Sequence, residues 1–206
     1  MKVLLVNGGP HKNGCTARAL AEIEGVLTAQ GVECETVWLG LDAIAGCIGC
    51  SACRKTGECF RKDIVNEFVE KAKSADGFVF GSPVHYAGAS GALTSFMDRA
   101  FYSGAVHFRY KPACAIVSAR RSGTTATVDQ LNKYFTINRM PVVSSQYWNA
   151  VHGATAQDVE QDAEGLQTMR TLGKNMAWLL QCIEAGKEKG ICHPDEEEPA
   201  RTNFVH

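Results

Sequence analysis

Charge of one sign is missing from this chain. Across 206 residues, 21 Lys and Arg are set against 22 Asp and Glu, a net charge of −1, and neither sign gathers into a stripe. A nucleic-acid partner selects a basic face and an anionic membrane selects a polybasic run, so neither is expected. Long apolar runs are missing too, and nothing approaches the ~20 residues that a bilayer span requires. The opening MKVLLVNGGP has a basic residue and a short apolar run, but Gly8-Gly9 cuts it off before it reaches the length of a signal h-region. These absences lead to the expectation of a cytoplasmic protein. Two nucleotide signatures are absent as well. There is no G-x-G-x-x-G, and Gly9…Gly14-Cys15-Thr16 spaces like a triphosphate loop while placing Cys15 where that loop needs its lysine.

What is present is a core and an alternating pattern. Hydrophobic residues make up 45% of the chain, enough for one large α/β domain and not two. The domain is expected over 1–185, with a tail over 186–206. Lys2–Val6 reads as a continuous apolar strand, the signature of a parallel strand covered on both faces. A helix over about Thr16–Ala29 and a strand over Val32–Leu39 follow. Asp63 is the expected cap of a helix carrying Val65, Phe68 and Val69. Gly77–Gly81 reads as a third strand stopped by Ser82-Pro83, Leu93–Phe101 as a helix, and Ala113–Ser118 as a fourth strand. A helix around Val128–Phe135 leads to a short fifth strand near Val142-Val143. A last helix over about Val159–Glu184 has its cap at Thr155. Five such cycles predict a doubly wound five-stranded parallel sheet.

Ligands of such sheets bind where loops leave the carboxyl ends of the strands. The first of these loops is Asn7-Gly-Gly-Pro-His-Lys-Asn-Gly-Cys-Thr16. Its glycines allow close backbone approach, the N–H groups at the helix start converge on an anion, and Thr16 adds a hydroxyl. His11 and Lys12 offer positive charge. One terminal phosphate is the reading left; a glycine turn without a ligand is the alternative. The second loop, Ser82-Pro-Val-His-Tyr-Ala-Gly88, is stiff and thin enough for a flat ring to lie against it, with His85 or Tyr86 over the ring. A plain strand-to-helix turn would share that composition. The third, Ser118–Thr125, carries Arg120 and Arg121. The fourth, Ser144–Gly153, carries Tyr147, Trp148, Asn149 and His152, expected on the ligand side as a lid or a subunit contact.

Nine cysteines remain to be read, and four fall within 47–59. Cys47, Cys50, Cys53 and Cys59 give C-x2-C-x2-C-x5-C. Three thiolates at three-residue steps can reach three corners of one compact cube, and a fourth after a glycine turn closes it, which suits a [4Fe–4S] cluster. Structural zinc more often takes two separated C-x-x-C pairs, and spare thiols are the third reading. Cys15, Cys34, Cys114 and Cys182 read as small buried thiols.

Together, Gly8-Gly9-Pro10…Asn13-Gly14-Cys15-Thr16, Gly81-Ser-Pro-Val-His-Tyr86…Asp98-Arg99 and the cysteine run resemble the NADPH-dependent FMN reductase-like flavoproteins, and within them the iron–sulfur flavoprotein branch. The resemblance covers roughly residues 1–185. It implies a flavodoxin-like fold with the cysteine-rich loop over 42–61 as an insertion, FMN, electron transfer, and a homodimer or homotetramer. By position it implies that Gly9, Pro10, His11, Lys12, Gly14, Cys15 and Thr16 surround the FMN phosphate. Ser82, Pro83, Val84, His85, Tyr86 and Gly88 would line the flavin ring, and Ser118, Arg120 and Gly123 would approach it. Gly9 and His11 depart from the family's Gly-Ser-Pro-Arg, removing a hydroxyl and a permanent charge that Lys12 would have to replace. The implied electron donor is NAD(P)H or a ferredoxin-like protein. No catalytic side chain is required, because N5 of the flavin takes the electrons. A non-catalytic one-electron carrier or redox sensor is the alternative function, and a structural zinc module ranks third.

Overall fold

The apolar run after Lys2 becomes the centre of the molecule. In the computed structural model, which describes residues 1–200, 202 and 204, β1 (Lys2–Asn7) is fully buried from Val3 onward. After it come α1 (Cys15–Ala29), β2 (Glu33–Trp38), α2 (Cys53–Thr56), α3 (Ile64–Ala72), β3 (Gly77–His85) and β4 (Gly88–Ala89). The chain continues through α4 (Gly91–Phe108), β5 (Ala113–Ala119), α5 (Thr124–Ile137), β6 (Ala150–His152), α6 (Ala156–Gln161) and α7 (Ala163–Glu188). Five strands pair in parallel in the order β2-β1-β3-β5-β6, and β4 adds only a short antiparallel hairpin to β3. With that hairpin set aside, the order is the 2-1-3-4-5 of the flavodoxin-like fold, whose direction reverses between β1 and β3.

Alternation along the strands divides the core into two layers. Leu4 and Val6 face a layer built on α3, α4 and α5. There Phe68 meets Phe78, Phe80, Phe96 and Phe108, with ring centroids 5.0–6.2 Å apart. Val3 and Leu5 face the other layer, with Ile23 and Leu27 of α1 and Met169 and Met176 of α7.

Three expectations need correction. β3 does not stop at Ser82-Pro83 but runs on to His85, with Ser82 opposite Val117 and Pro83 opposite Ser118. β1 ends opposite Gly81, so beyond it β3 has a free edge, where a missing proline N–H costs no ladder bond. The fifth strand is not at Val142-Val143, which makes only a single bridge to Ala113; it is Ala150–His152, opposite Val117–Ala119. Between the two, the chain bulges from the sheet edge, and Asn149 closes the gap by donating from Nδ2 to Ala115 O and accepting Val117 N–H at its own carbonyl. Tyr147 and Trp148 are therefore exposed beside the middle of β5 and not at its carboxyl end. The last helix breaks at Asp162 (ψ 74°), whose carboxylate accepts from Gly165 N–H and caps α7. Thr155 caps α6 as expected, in a reciprocal box with Asp158. Past α7 the chain turns back, His193 stacking on Tyr110 and Glu196 pairing with Arg109 and Arg139.

Candidate functional site

At the carboxyl end of β1 the backbone is organised by a buried side chain. Asn7, 1% exposed, accepts from Gly9 N–H at 2.9 Å and donates to Lys12 O at 3.4 Å, closing the loop as asparagine does in tight turns. Gly8 N–H donates to Gly81 O at 2.8 Å and ties the loop to β3. Trp38, at the end of β2, donates from Nε1 to Gly9 O at 2.9 Å and carries Lys12 Nζ 5.9 Å above its ring. Gly14 then enters α1 in an extended conformation with no side-chain cap. The first N–H groups of a 15-residue helix thus have no side-chain partner, and such a helix start attracts an anion. Pro10, His11, Lys12 and Asn13 form the exposed rim of this loop. Cys15 is half-buried, its Sγ 3.6 Å from Gly153 O, and burial pushes its thiol pKa up.

The second and third loops are locked to the first. Ser90, the cap of α4, donates to Gly8 O at 2.8 Å, accepts from Leu93 N–H, and offers its own N–H to Ser82 Oγ at 2.9 Å. Thr16 and Ser118, both buried, share a hydrogen bond at 2.9 Å. Val84–Ala89 is a hairpin whose corner residues, Tyr86 and Ala87, have φ of 50° and 61°. That is the two-residue turn that matches strand twist, here built without glycine. Gly123 (φ 88°) packs so closely that an added Cβ would lie 2.9 Å from Ala87 Cα and from Val84 Cγ1. Gln130 Oε1 accepts from Ala89 N–H.

Gly9, Gly14, Thr16, Ser82, Pro83, Val84, Gly88, Ser118 and Gly123 therefore belong to one continuous wall. His85, Tyr86 and Arg120 stand exposed at its rim. The sequence reading missed Asn7, Trp38, Ser90 and Gln130. Asn7 carried a signal, an asparagine between a strand and Gly-Gly; the other three carried none. Removing the Trp38 contact with Trp38→Phe costs one partly buried hydrogen bond, ~1 kcal/mol. The expected result is a flavin dissociation constant raised about 5-fold, measured by fluorescence titration; an unchanged constant would show that Trp38 does not order the loop.

The cysteines gather elsewhere. Cys47, Cys50, Cys53 and Cys59 all line one cavity of about 210 Å³, with Arg61, Arg99 and Tyr102 in its wall. Gly49, Ser51 and Gly57, with φ of 67°, 59° and 76°, supply its sharp turns. Gly49 N–H points at Cys47 Sγ at 3.5 Å, and Arg99 Nε donates to Cys59 Sγ at 3.3 Å. Among the described residues no three His, Cys, Asp or Glu side chains converge as metal ligands. The donor set nonetheless fits an iron–sulfur cluster: four soft sulfurs bound one cavity and two N–H groups already address them. Arg99 lies nine residues along α4 from Ser90, about 14 Å at ~1.5 Å per residue.

Arg99 holds this loop together. Its guanidinium grips Asp63 through two bonds of 2.6 and 2.8 Å and donates to Ala45 O and Arg61 O. Burial works to raise the Asp63 pKa, but Arg99 and the Val65 N–H outweigh it and hold the carboxyl below its ordinary value. A depressed carboxylate contributes stability above its unfolded pKa of ~3.9, lost as pH falls through the folded one. The advantage of wild type over Asp63→Asn in urea unfolding is thus expected in full at neutral pH and fading below pH ~4. An advantage of equal size at every pH would remove the ion pair from the account.

A family model described as NADPH-dependent FMN reductase matches residues 1–155. The chain belongs to that family. An iron–sulfur flavoprotein of Methanocaldococcus jannaschii is 32% identical over 192 residues, covering 89% of this chain and all of the relative. Among solved structures, an archaeal flavodoxin superposes with a TM-score of 0.60 at 16% identity, over 88% of this chain and 99% of its own. RosB, solved with a bound 8-demethyl-8-formylriboflavin-5′-phosphate, superposes with a TM-score of 0.70 at 15% identity, over 100% of this chain and 92% of its own. At these identities both show the fold alone, and the fold is the flavodoxin-like one expected. Among the described residues of this FMN reductase family member, no helix is long and apolar enough to cross a membrane.

Proposed function

We propose that the chain binds one FMN across the carboxyl ends of β1 and β3 and works as a cytoplasmic electron-transfer oxidoreductase, drawing on NAD(P)H or a ferredoxin-like donor. Cys47, Cys50, Cys53 and Cys59 hold a [4Fe–4S] cluster in this reading. The observation that carries it is the single wall made of three loops by Ser90, by the Thr16–Ser118 bond and by the Gly123–Ala87 contact, with the uncapped start of α1 opening into it.

Each part of the wall has a task. The N–H groups from Cys15 onward receive the phosphate oxygens, and Lys12 and His11 add positive charge at the rim. The Val84–Gly88 hairpin offers backbone to one side of the ring. Its bracing by Ser82, Ser90 and Gln130 fixes the ring's position before any donor arrives. Arg120, exposed just after β5, would bring positive charge that favours the anionic reduced ring. Bound FMN supplies one- or two-electron chemistry at N5, and a cluster supplies single-electron steps.

Arg99, on the wall of the cysteine cavity, lies about 14 Å along α4 from Ser90, and Ile48, Phe60 and Tyr102, which line that cavity, are exposed. This separation and this apolar rim support a homodimer or homotetramer in which the cysteine loop of one subunit meets the flavin site of another. The deciding experiment is the visible spectrum of anaerobically purified protein before and after dithionite, followed by addition of NADPH, NADH or a reduced ferredoxin. Flavin bands riding on a broad, bleachable shoulder are the expected result. Flavin bands alone would remove the cluster, and a colourless protein would remove the whole reading. Fast reduction by ferredoxin with none by either nicotinamide would make the protein a one-electron carrier.

A further inference from the structure

Two guanidiniums border the cysteine cavity, and their circumstances differ. Arg99 is 2% exposed; its charge is matched by Asp63, while its Nε–H is spent on Cys59 Sγ at 3.3 Å. Arg61 lines the same cavity, with its guanidinium carbon 5.1 Å from the Phe60 ring centroid. Its Nε is buried and has no hydrogen-bond partner among the described residues. A buried N–H without an acceptor is costly, and of a charged group more so. It persists where something not yet in place accepts it. The cavity that Arg61 borders is lined by four sulfur ligands, so the acceptor chemistry at hand is thiolate or sulfide.

We propose that Arg61 and Arg99 are positioning residues that raise the reduction potential of the cluster held by Cys47, Cys50, Cys53 and Cys59. The inference rests on the cluster reading above. Reduction of such a centre takes up one electron and no proton, so its negative charge grows by one. Hydrogen bonds to sulfur and nearby positive charge stabilise the more negative state more than the less negative one, and the potential rises. Arg99 supplies the hydrogen bond already formed to Cys59. Arg61 supplies the second N–H and, because the single Asp63 carboxylate faces both guanidiniums, the net positive charge. The pairing also gives the buried Arg61 Nε–H an acceptor.

The test uses full-length protein reconstituted anaerobically with iron and sulfide, as wild type, Arg61→Gln, Arg61→Lys and Arg99→Lys. Iron and FMN per chain are measured first, then the cluster midpoint by a redox titration followed by electron paramagnetic resonance. Arg61→Gln is expected to keep both iron and FMN while its reduced-to-oxidised ratio at a fixed potential falls about tenfold, a midpoint about 59 mV lower for a one-electron couple. Arg61→Lys keeps the charge without the Nε–H and should fall between the two. Arg99→Lys loses the bond to Cys59 and should also move down. The flavin midpoint stays in place in all three. Arg61→Gln with full iron and an unmoved cluster midpoint overturns the inference, and so does iron loss with no shift in the clusters that remain. Wild type that takes up no iron overturns the cluster reading itself, and the inference with it.

Discussion

Cys50→Ser, purified without oxygen, is expected to contain FMN at the wild-type ratio and almost no iron. Cys50 is exposed, on a loop without regular structure, and makes no contact in either core layer. Its replacement by a near-isostere should shift stability by no more than ~0.5 kcal/mol. The chemistry changes completely, however. Iron–sulfur clusters select soft thiolates, and a serine hydroxyl stays protonated at neutral pH. The flavin wall is built from other loops, so FMN has no reason to leave. Cys182→Ser, on α7 and outside this cavity, is the control and should keep its iron. Iron per chain and the flavin absorbance decide the matter, and a Cys50→Ser protein with its full complement of iron would show that the ligand set is wrong.

Gly8→Val carries the other large effect, by the opposite route. It should lose FMN while leaving the cysteines undisturbed. A Cβ on Gly8 would lie 2.8 Å from Leu93 Cβ and 3.0 Å from Gly81 O. One is a core helix and the other is strand backbone, and neither can swing aside as the end of a long side chain could. Valine adds two further methyls to that contact. The strain of such overpacking is ~1–3 kcal/mol. Relieving it pulls the loop from both of its anchors, Gly81 O and the Ser90 hydroxyl. FMN affinity should fall about 10- to 100-fold, since each ~1.4 kcal/mol is a factor of ten. Gly25→Ala is the counterpart, because nothing lies within 4 Å of its added Cβ. In the middle of α1 it should stabilise the protein by up to ~1 kcal/mol and leave FMN binding unchanged. Thermal unfolding and flavin titration of the two variants separate crowding from a general intolerance of glycine replacement.

Much of the fold was legible because buried parallel strands announce themselves. Val3–Val6, Phe78–Phe80 and Cys114–Val117 are short, continuous apolar runs between turn residues, and each became a central strand. The edge strand was not legible. Val142-Val143 has the stronger β character, and Val143 is indeed buried. Ala150–His152 won the pairing because it lies beside the free carboxyl end of β5, and nothing local in its sequence says so. The break at Asp162 was hidden for a similar reason: aspartate inside a helical pattern reads as a solvated face until its carboxylate is seen to cap the next helix. The β3–β4 hairpin turns on Tyr86-Ala87, which carries none of the Asn or Gly that usually marks such a corner. It holds because Gln130 and the Gly123 loop brace it from α5.

The candidate sites divide along the same line. Spacing over a few residues carried the candidate sites: a glycine-rich entry to α1 where an anion is expected, and four thiols spaced C-x2-C-x2-C-x5-C. Those are local properties, set by backbone reach and side-chain chemistry. The tertiary structure decided what surrounds them. Ser90 reaches Gly8 across 82 positions of sequence, Thr16 reaches Ser118 across 102, and Arg99 reaches Asp63 across 36. Read alone, an arginine on a helix is a solvated charge. Folded, Arg99 is buried against a carboxylate and a thiol, because packing α4 over α3 leaves it nowhere else to put its charge.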